Sequence, residues 1–214
     1  TFSLENEVLT LTTTNGKGKI AKGNDGINFV NKKLDAVTDD FILTATANVT
    51  TWAKENQIAF GLMMRNGVGT TSSDVKPMRH VYVGGDVQAS VEYLGTTVRT
   101  TDEAVNPANI DGSEGTIDDA WIAPGKTYDL VLQRAGDKVY ASIDGTTVEI
   151  TDWAADDYSS MYVGMFVARK TSVKFSNVKL ETKAASDAVT LVSQTEPGKT
   201  TYYVGNTVDD LDLS

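Results

Sequence analysis

Between Phe41 and Val49 the apolar residues Phe41, Leu43, Ala45, Ala47 and Val49 alternate with Thr44, Thr46 and Asn48, the period of two expected of a half-buried strand. The same reading predicts strands at Gln57 to Met64, His80 to Gly84, Ser90 to Leu94, Tyr128 to Arg134, Lys138 to Ile143, Met161 to Ala168 and Ser172 to Lys179. The clearest hairpin joins Tyr128–Arg134 to Lys138–Ile143 through Ala135-Gly136-Asp137, where glycine takes positive φ. Asp144-Gly145 turns the chain again toward Thr147 to Ile150. Helical periodicity is never sustained, although Asp152 to Ser160 has room for one short helical turn. With no βαβ rhythm, heptad or internal repeat, the pattern predicts an all-β, antiparallel two-sheet sandwich.

Composition agrees. The chain has 214 residues, with 18 glycines and 40% hydrophobic residues, enough for one sandwich core that folds alone. After Leu180 the sequence turns polar and small, which divides it into a sandwich over residues 1–182 and a segment over 183–214. That segment holds a linker followed by Pro197-Gly-Lys-Thr-Thr-Tyr-Tyr-Val-Gly-Asn, which resembles the opening of a bacterial immunoglobulin-like repeat. A multidomain parent is implied, and the chain reads as a piece of it.

Charge narrows the partners. The net charge of −10 repels phosphate backbones and anionic headgroups, so nucleic acid and membrane surfaces are poor partners. No apolar run is long enough to span a bilayer, and no charged-then-apolar leader opens the chain. The absence of cysteine removes disulfides, thiolate metal sites and cysteine nucleophiles together.

Four segments carry a resemblance: Gly18–Phe29, Phe60-Gly-Leu-Met-Met-Arg-Asn, Tyr128-Asp-Leu-Val-Leu-Gln-Arg, and Tyr162-Val-Gly-Met-Phe-Val-Ala-Arg with Val173-Lys-Phe-Ser-Asn-Val. In that order they are similar to the concanavalin A-like (jelly-roll) sandwich of secreted bacterial polysaccharide lyases and of fructan- and pectin-associated binding modules. The resemblance implies a carbohydrate-binding module on a secreted or cell-surface glycan-active protein. Arg65-Asn66 departs from the Arg-Asp pair of that pattern, a difference that bears on which glycan is bound.

The residues themselves offer little catalysis. His80 is the one histidine, and no nucleophile elbow, zinc-binding helix or phosphate loop is present. Asp86, Glu92, Asp118 and Asp119 are acids without evident pairing at the separation glycoside hydrolysis needs. Binding chemistry is better supplied. If Phe60, Leu62 and Met64 face the core, Arg65 stands on the outward, concave face, and the same alternation along Tyr162 to Arg169 brings Arg169 beside it. A guanidinium fork suits vicinal hydroxyls or a uronate carboxylate, although salt bridges to the many acids account equally well for both arginines. Tyr82 and Tyr93 fall on adjacent strands and line the same face, or pack as ordinary sheet residues. Of Trp52, Trp121 and Trp153, Trp121 is favoured as a stacking platform because it follows the long polar loop from Thr100 to Ala120.

A structural Ca²⁺ is the one cofactor weighed, with Asp25 in Asn24-Asp25-Gly26 and the Asp118-Asp119 pair as candidate ligands, although neither site has a full calcium loop. The chain reads as a monomer joined to other domains of its parent. Two rival functions stay open: a surface adhesin or spacer that binds protein or nothing, and an accessory sandwich packed against a catalytic domain.

Overall fold

The computed structural model describes residues 1–14, 27–34, 39–68, 79–99, 108–116, 121–151, 153, 158, 161–184, 194–196, 199–200 and 207–209. Every regular element among them is a strand, and none is a helix that could cross a membrane. The expected short helical turn lies outside the described residues apart from Trp153 and Tyr158.

One antiparallel sheet runs in the order β1 (Phe2–Glu5), β2 (Val8–Thr13), β13 (Thr171–Ala184), β4 (Asp39–Trp52), β9 (Thr127–Ala135), β10 (Lys138–Ile143), β11 (Thr146–Ile150). The other runs β3 (Asn28–Leu34), β12 (Met161–Ala168), β5 (Ala59–Arg65), β6 (His80–Gln88), β7 (Val91–Arg99), β8 (Ala108–Thr116). Beyond residue 183, β14 (Gln194–Glu196) pairs with β15 (Lys199–Thr200), and β16 (Thr207–Asp209) pairs with Leu180–Thr182 of β13. β2 and β16 thus share one side of β13, β2 covering Thr171–Phe175.

Alternation decides what each sheet buries. On β4, Phe41, Leu43, Ala45, Ala47 and Val49 enter the core while Thr44, Thr46 and Asn48 stay half-buried outside. Phe60, Leu62 and Met64 of β5, Val81 and Val83 of β6, and Val163, Met165 and Val167 of β12 meet them from the second sheet. Trp52 stands edge-on to Phe60 at 5.6 Å, and Phe60 in turn lies against Tyr128.

Two-residue turns fix the hairpin registers. Asp144 and Gly145 both adopt positive φ, as a type I′ turn requires, and Gly136 does so between β9 and β10. Asn6-Glu7 and Ala89-Ser90 make the same kind of turn with four non-glycine residues at positive φ, which is why sequence signals missed the first of them. β1, β2, β3 and β8 were not anticipated. β8 lies inside the stretch expected to be a polar loop, and it pairs with β7 through an irregular register.

Candidate functional site

The face of the six-stranded sheet that points away from the core is built from parity. Because Phe60, Leu62 and Met64 point inward, Ala59, Gly61, Met63 and Arg65 point outward, and cross-strand partners share a face. Register then aligns rows across the strands. One row is Phe29, Phe166, Gly61, Gly84 and Gly95. The next is Asn31, Gly164, Met63, Tyr82 and Thr97, and beyond it Tyr162, Arg65 and His80 stand side by side. On the other flank lie Ala168, Ala59, Asp86 and Tyr93.

The glycines have a steric cause. Gly61 and Gly84 adopt φ of +152° and +151°, and a Cβ added to either would fall 1.9 or 2.1 Å from a carbonyl oxygen of the neighbouring strand. Only glycine fits this approach. Aromatic rings of the same row and the next border this side-chain-free floor: Phe166 meets Tyr82 edge-to-face at 5.0 Å, and Ala59, Met63, Ala168, Ile27 and Phe29 complete a second apolar cluster.

Polar groups surround that cluster. The Tyr82 hydroxyl donates to Asp86 across Gly84, Gln88 donates to the same carboxylate at 3.2 Å, and Thr97 reaches it at 3.4 Å. Burial pushes the Asp86 carboxyl up to about 6, and these donors only partly offset the shift. His80 stacks on Tyr82 at 5.6 Å, and the Arg65 guanidinium sits 5.9 Å from the centre of the Phe29 ring. Arg65, His80, Tyr82 and Asp86 are buried, whereas Phe29, Asn31, Tyr93 and Tyr162 are half-buried and Lys33 is exposed.

Of the expected site residues, Arg65, Tyr82 and Tyr93 do share this face. Arg169 does not join them. The parity expected along β12 is inverted, since Val163, Met165 and Val167 fill the core and Gly164, Phe166 and Ala168 face outward. Arg169 leaves the strand at φ 55°, seven residues beyond the position paired with Arg65, or roughly 23 Å along the strand. There it donates to the Asn56 carbonyl at 2.6 Å and the Gln57 side chain at 3.1 Å. Val163, Met165 and Val167 stand opposite the core residues Met64, Leu62 and Phe60 of β5, and that register settles the parity.

Trp121 is also displaced from the expected face. It is half-buried against the main core, and its carbonyl accepts a 2.8 Å hydrogen bond from Tyr128. Trp52 is buried and donates from Nε1 to Glu92 at 2.7 Å, while Trp153 packs on the core with the Arg134 guanidinium 5.4 Å from the ring centre. Glu92 faces the interior. Burial raises its pKa against the opposing donors Trp52 Nε1 and the Ile122 N–H.

Asp25, Asp118 and Asp119, the expected calcium ligands, lie outside the described residues. Among those described, no three His, Asp or Glu side chains converge in a way that could hold a metal. Sequence reasoning passed over Asp86, Tyr162 and Lys33 as parts of the face. Carrying the parity of Phe60, Leu62 and Met64 across each strand pair was the signal that could have found them.

No family model matches the chain. It is 30% identical over 193 residues to pectate lyase L of Thermoclostridium stercorarium, a match that takes in 83% of this chain and 15% of that protein's length. Among solved structures it resembles the carbohydrate-binding module CBM66 of Bacillus subtilis with a TM-score of 0.51 at 16% identity, covering 85% of this chain and 91% of that one. An alginate lyase of Pseudomonas aeruginosa gives 0.52 at 10% identity, covering 84% and 85%. The chain is thus an antiparallel two-sheet β-sandwich of the concanavalin A-like, jelly-roll type.

Proposed function

We propose that this chain is a non-catalytic carbohydrate-binding module of a larger, secreted glycan-active protein, and that its ligand lies on the outer face of the six-stranded sheet. The observation that carries the reading is the gathering there of a guanidinium, an imidazole, a carboxylate and tyrosine rings around one apolar floor. Sugar rings offer C–H faces to aromatic and apolar surface and hydroxyls to fixed polar groups, so this mixture suits them. Half-buried Tyr93, Tyr162 and Phe29 form the accessible rim. The likeness in fold to CBM66 and the identity shared with a stretch of pectate lyase L support the same reading.

A panel of fructans, pectins, alginates and animal glycans, followed by affinity gels, tests it. Saturable binding to at least one polysaccharide, weakened by Tyr162→Ala or Tyr93→Ala with the fold intact, is the expected result. Silence across the panel refutes it.

A second reading, an accessory sandwich packed on a catalytic domain, draws on Phe2 and Leu4, which are 57% and 49% exposed on β1. Catalysis that depends on those two residues in the full-length parent would favour it.

A further inference from the structure

The sheet that contains β4 and β9 has an outer face of its own, and part of that face is buried. Register aligns one row across it: the position of Val208 on β16, Glu181 of β13, Ile42 of β4, Gln133 of β9, Tyr140 of β10 and Glu149 of β11. Ile42 is 4% exposed and Gln133 2%, Val131 in the adjoining row is 7% exposed, and Glu181 is buried. Yet Ile42 and Val131 point away from the core and belong to neither apolar cluster. Toward β11 the burial fades, with Tyr140 half-buried and Glu149 exposed. Farther along the same face Thr46 and Asn48 are half-buried, and Asp129 and Lys174 are exposed.

A sheet face open to water leaves an aliphatic side chain partly accessible and hydrates an amide. Gln133 Nε2 is instead buried, with no hydrogen-bond partner among the described residues. These side chains are therefore covered, not solvated.

We infer that the C-terminal segment bearing β14, β15 and β16 docks in cis across this patch, as a strap over Ile42, Val131 and Gln133. β16 continues the row at one end by pairing with Leu180–Thr182, and β15 lies beside β11 at the other. From β11 to β16 there are five interstrand steps, roughly 24 Å at about 4.8 Å each. Thr200 and Thr207 are seven residues apart, and an extended chain of that length spans at most about 25 Å. The segment has the reach for a direct crossing and little to spare. Between the two strands its sequence reads Thr201-Tyr-Tyr-Val-Gly-Asn, and the tyrosines and valine are suited to an apolar patch. Pairing of β16 also closes part of the β13 edge that β2 leaves open beyond Phe175, where an unpaired strand would invite another chain. The inference is independent of the carbohydrate reading, which concerns the other sheet.

Hydrogen exchange of the full chain, read by mass spectrometry, tests the strap. Amides of residues 207–209 should exchange roughly tenfold or more slowly than those of an unstructured chain, and exchange at the unstructured rate overturns the inference. Because the chain has no cysteine, engineered pairs give a second readout. Glu181→Cys with Val208→Cys joins directly opposed positions and should oxidise to a disulfide. Lys174→Cys with Val208→Cys, displaced roughly 23 Å along β13, should not, and equal yields of the two also overturn it. Ile42→Lys should lower the melting temperature and release residues 207–209 to fast exchange. Thr46→Lys, on the more open part of the same face, should leave both unchanged. An Ile42→Lys chain that melts like the wild type and keeps residues 207–209 protected removes the strap. If that variant does not fold, exchange in the unaltered chain and the cysteine pairs decide.

Discussion

Tyr82 donates its hydroxyl proton to the carboxylate of Asp86, four residues along the same strand, and the ring reaches it by crossing the side-chain-free position of Gly84. The three residues act as a unit: glycine provides the space, tyrosine fills it, and a buried carboxylate accepts the phenol. Each member has a measurable signature.

The carboxylate should make stability depend on pH. Its pKa is raised from 3.8 to about 6 by burial, so between those values the folded chain holds a proton that the unfolded chain has released. Stability from this group is fully present below about pH 4 and is lost as pH rises through about 6, by an amount on the order of 3 kcal/mol. Asp86→Asn, which retains an acceptor for Tyr82, should flatten that slope and stabilise the chain at pH 7. Denaturant titrations at pH 4, 5, 6 and 7 check it, and an unaltered slope refutes the assignment.

Gly84→Ala should destabilise the fold by about 3 kcal/mol or more, since the new methyl meets backbone that cannot move aside and φ is unfavourable. Gly136→Ala has open space around its Cβ and serves as the control, with a smaller cost from its positive φ alone. Thermal melts of the two variants should separate clearly.

How much of this was legible beforehand depended on whether pattern or partner set the outcome. The strands with strict alternation, β4, β9 and β10, follow from their own residues. β1 and β3 have weak patterns and exist because a neighbour pairs with them, as Asn28–Leu34 does along β12. For the site, Arg65 was legible because Phe60, Leu62 and Met64 leave no doubt about parity. On β12 bulky apolar residues stand at both parities, Met165 and Val167 on one and Phe166 on the other, so alternation carried no sign, and Arg169 was assigned to the wrong end of the sheet. Tryptophan 121 was misjudged for a related reason: the preceding segment contains β8, and the ring turns toward the core.

Inside the sandwich, Trp52→Phe removes a donor from buried Glu92 and should cost about 2 kcal/mol. Glu92→Gln on that background should cost less than it does in the wild type, because a partner of the carboxylate has already gone. A double-mutant cycle by urea denaturation measures the coupling, and strict additivity rules it out.

Phe2 and Leu4 pair with Leu11 and Leu9, so they project on the core side of the outermost strand, yet they remain exposed. Replacing both with serine should change stability by less than about 0.5 kcal/mol each and reduce self-association at high concentration. Sedimentation velocity provides the readout.

The aligned glycines of β5, β6 and β7 also constrain how this sequence can change. A methyl group introduced at position 61 or 84 collides with the adjoining strand's carbonyl, so the two sites cannot drift independently of each other or of the rings lying over them. Substitutions along that line must arrive together, and a lineage that altered one of them would have to redraw the curvature of the entire sheet.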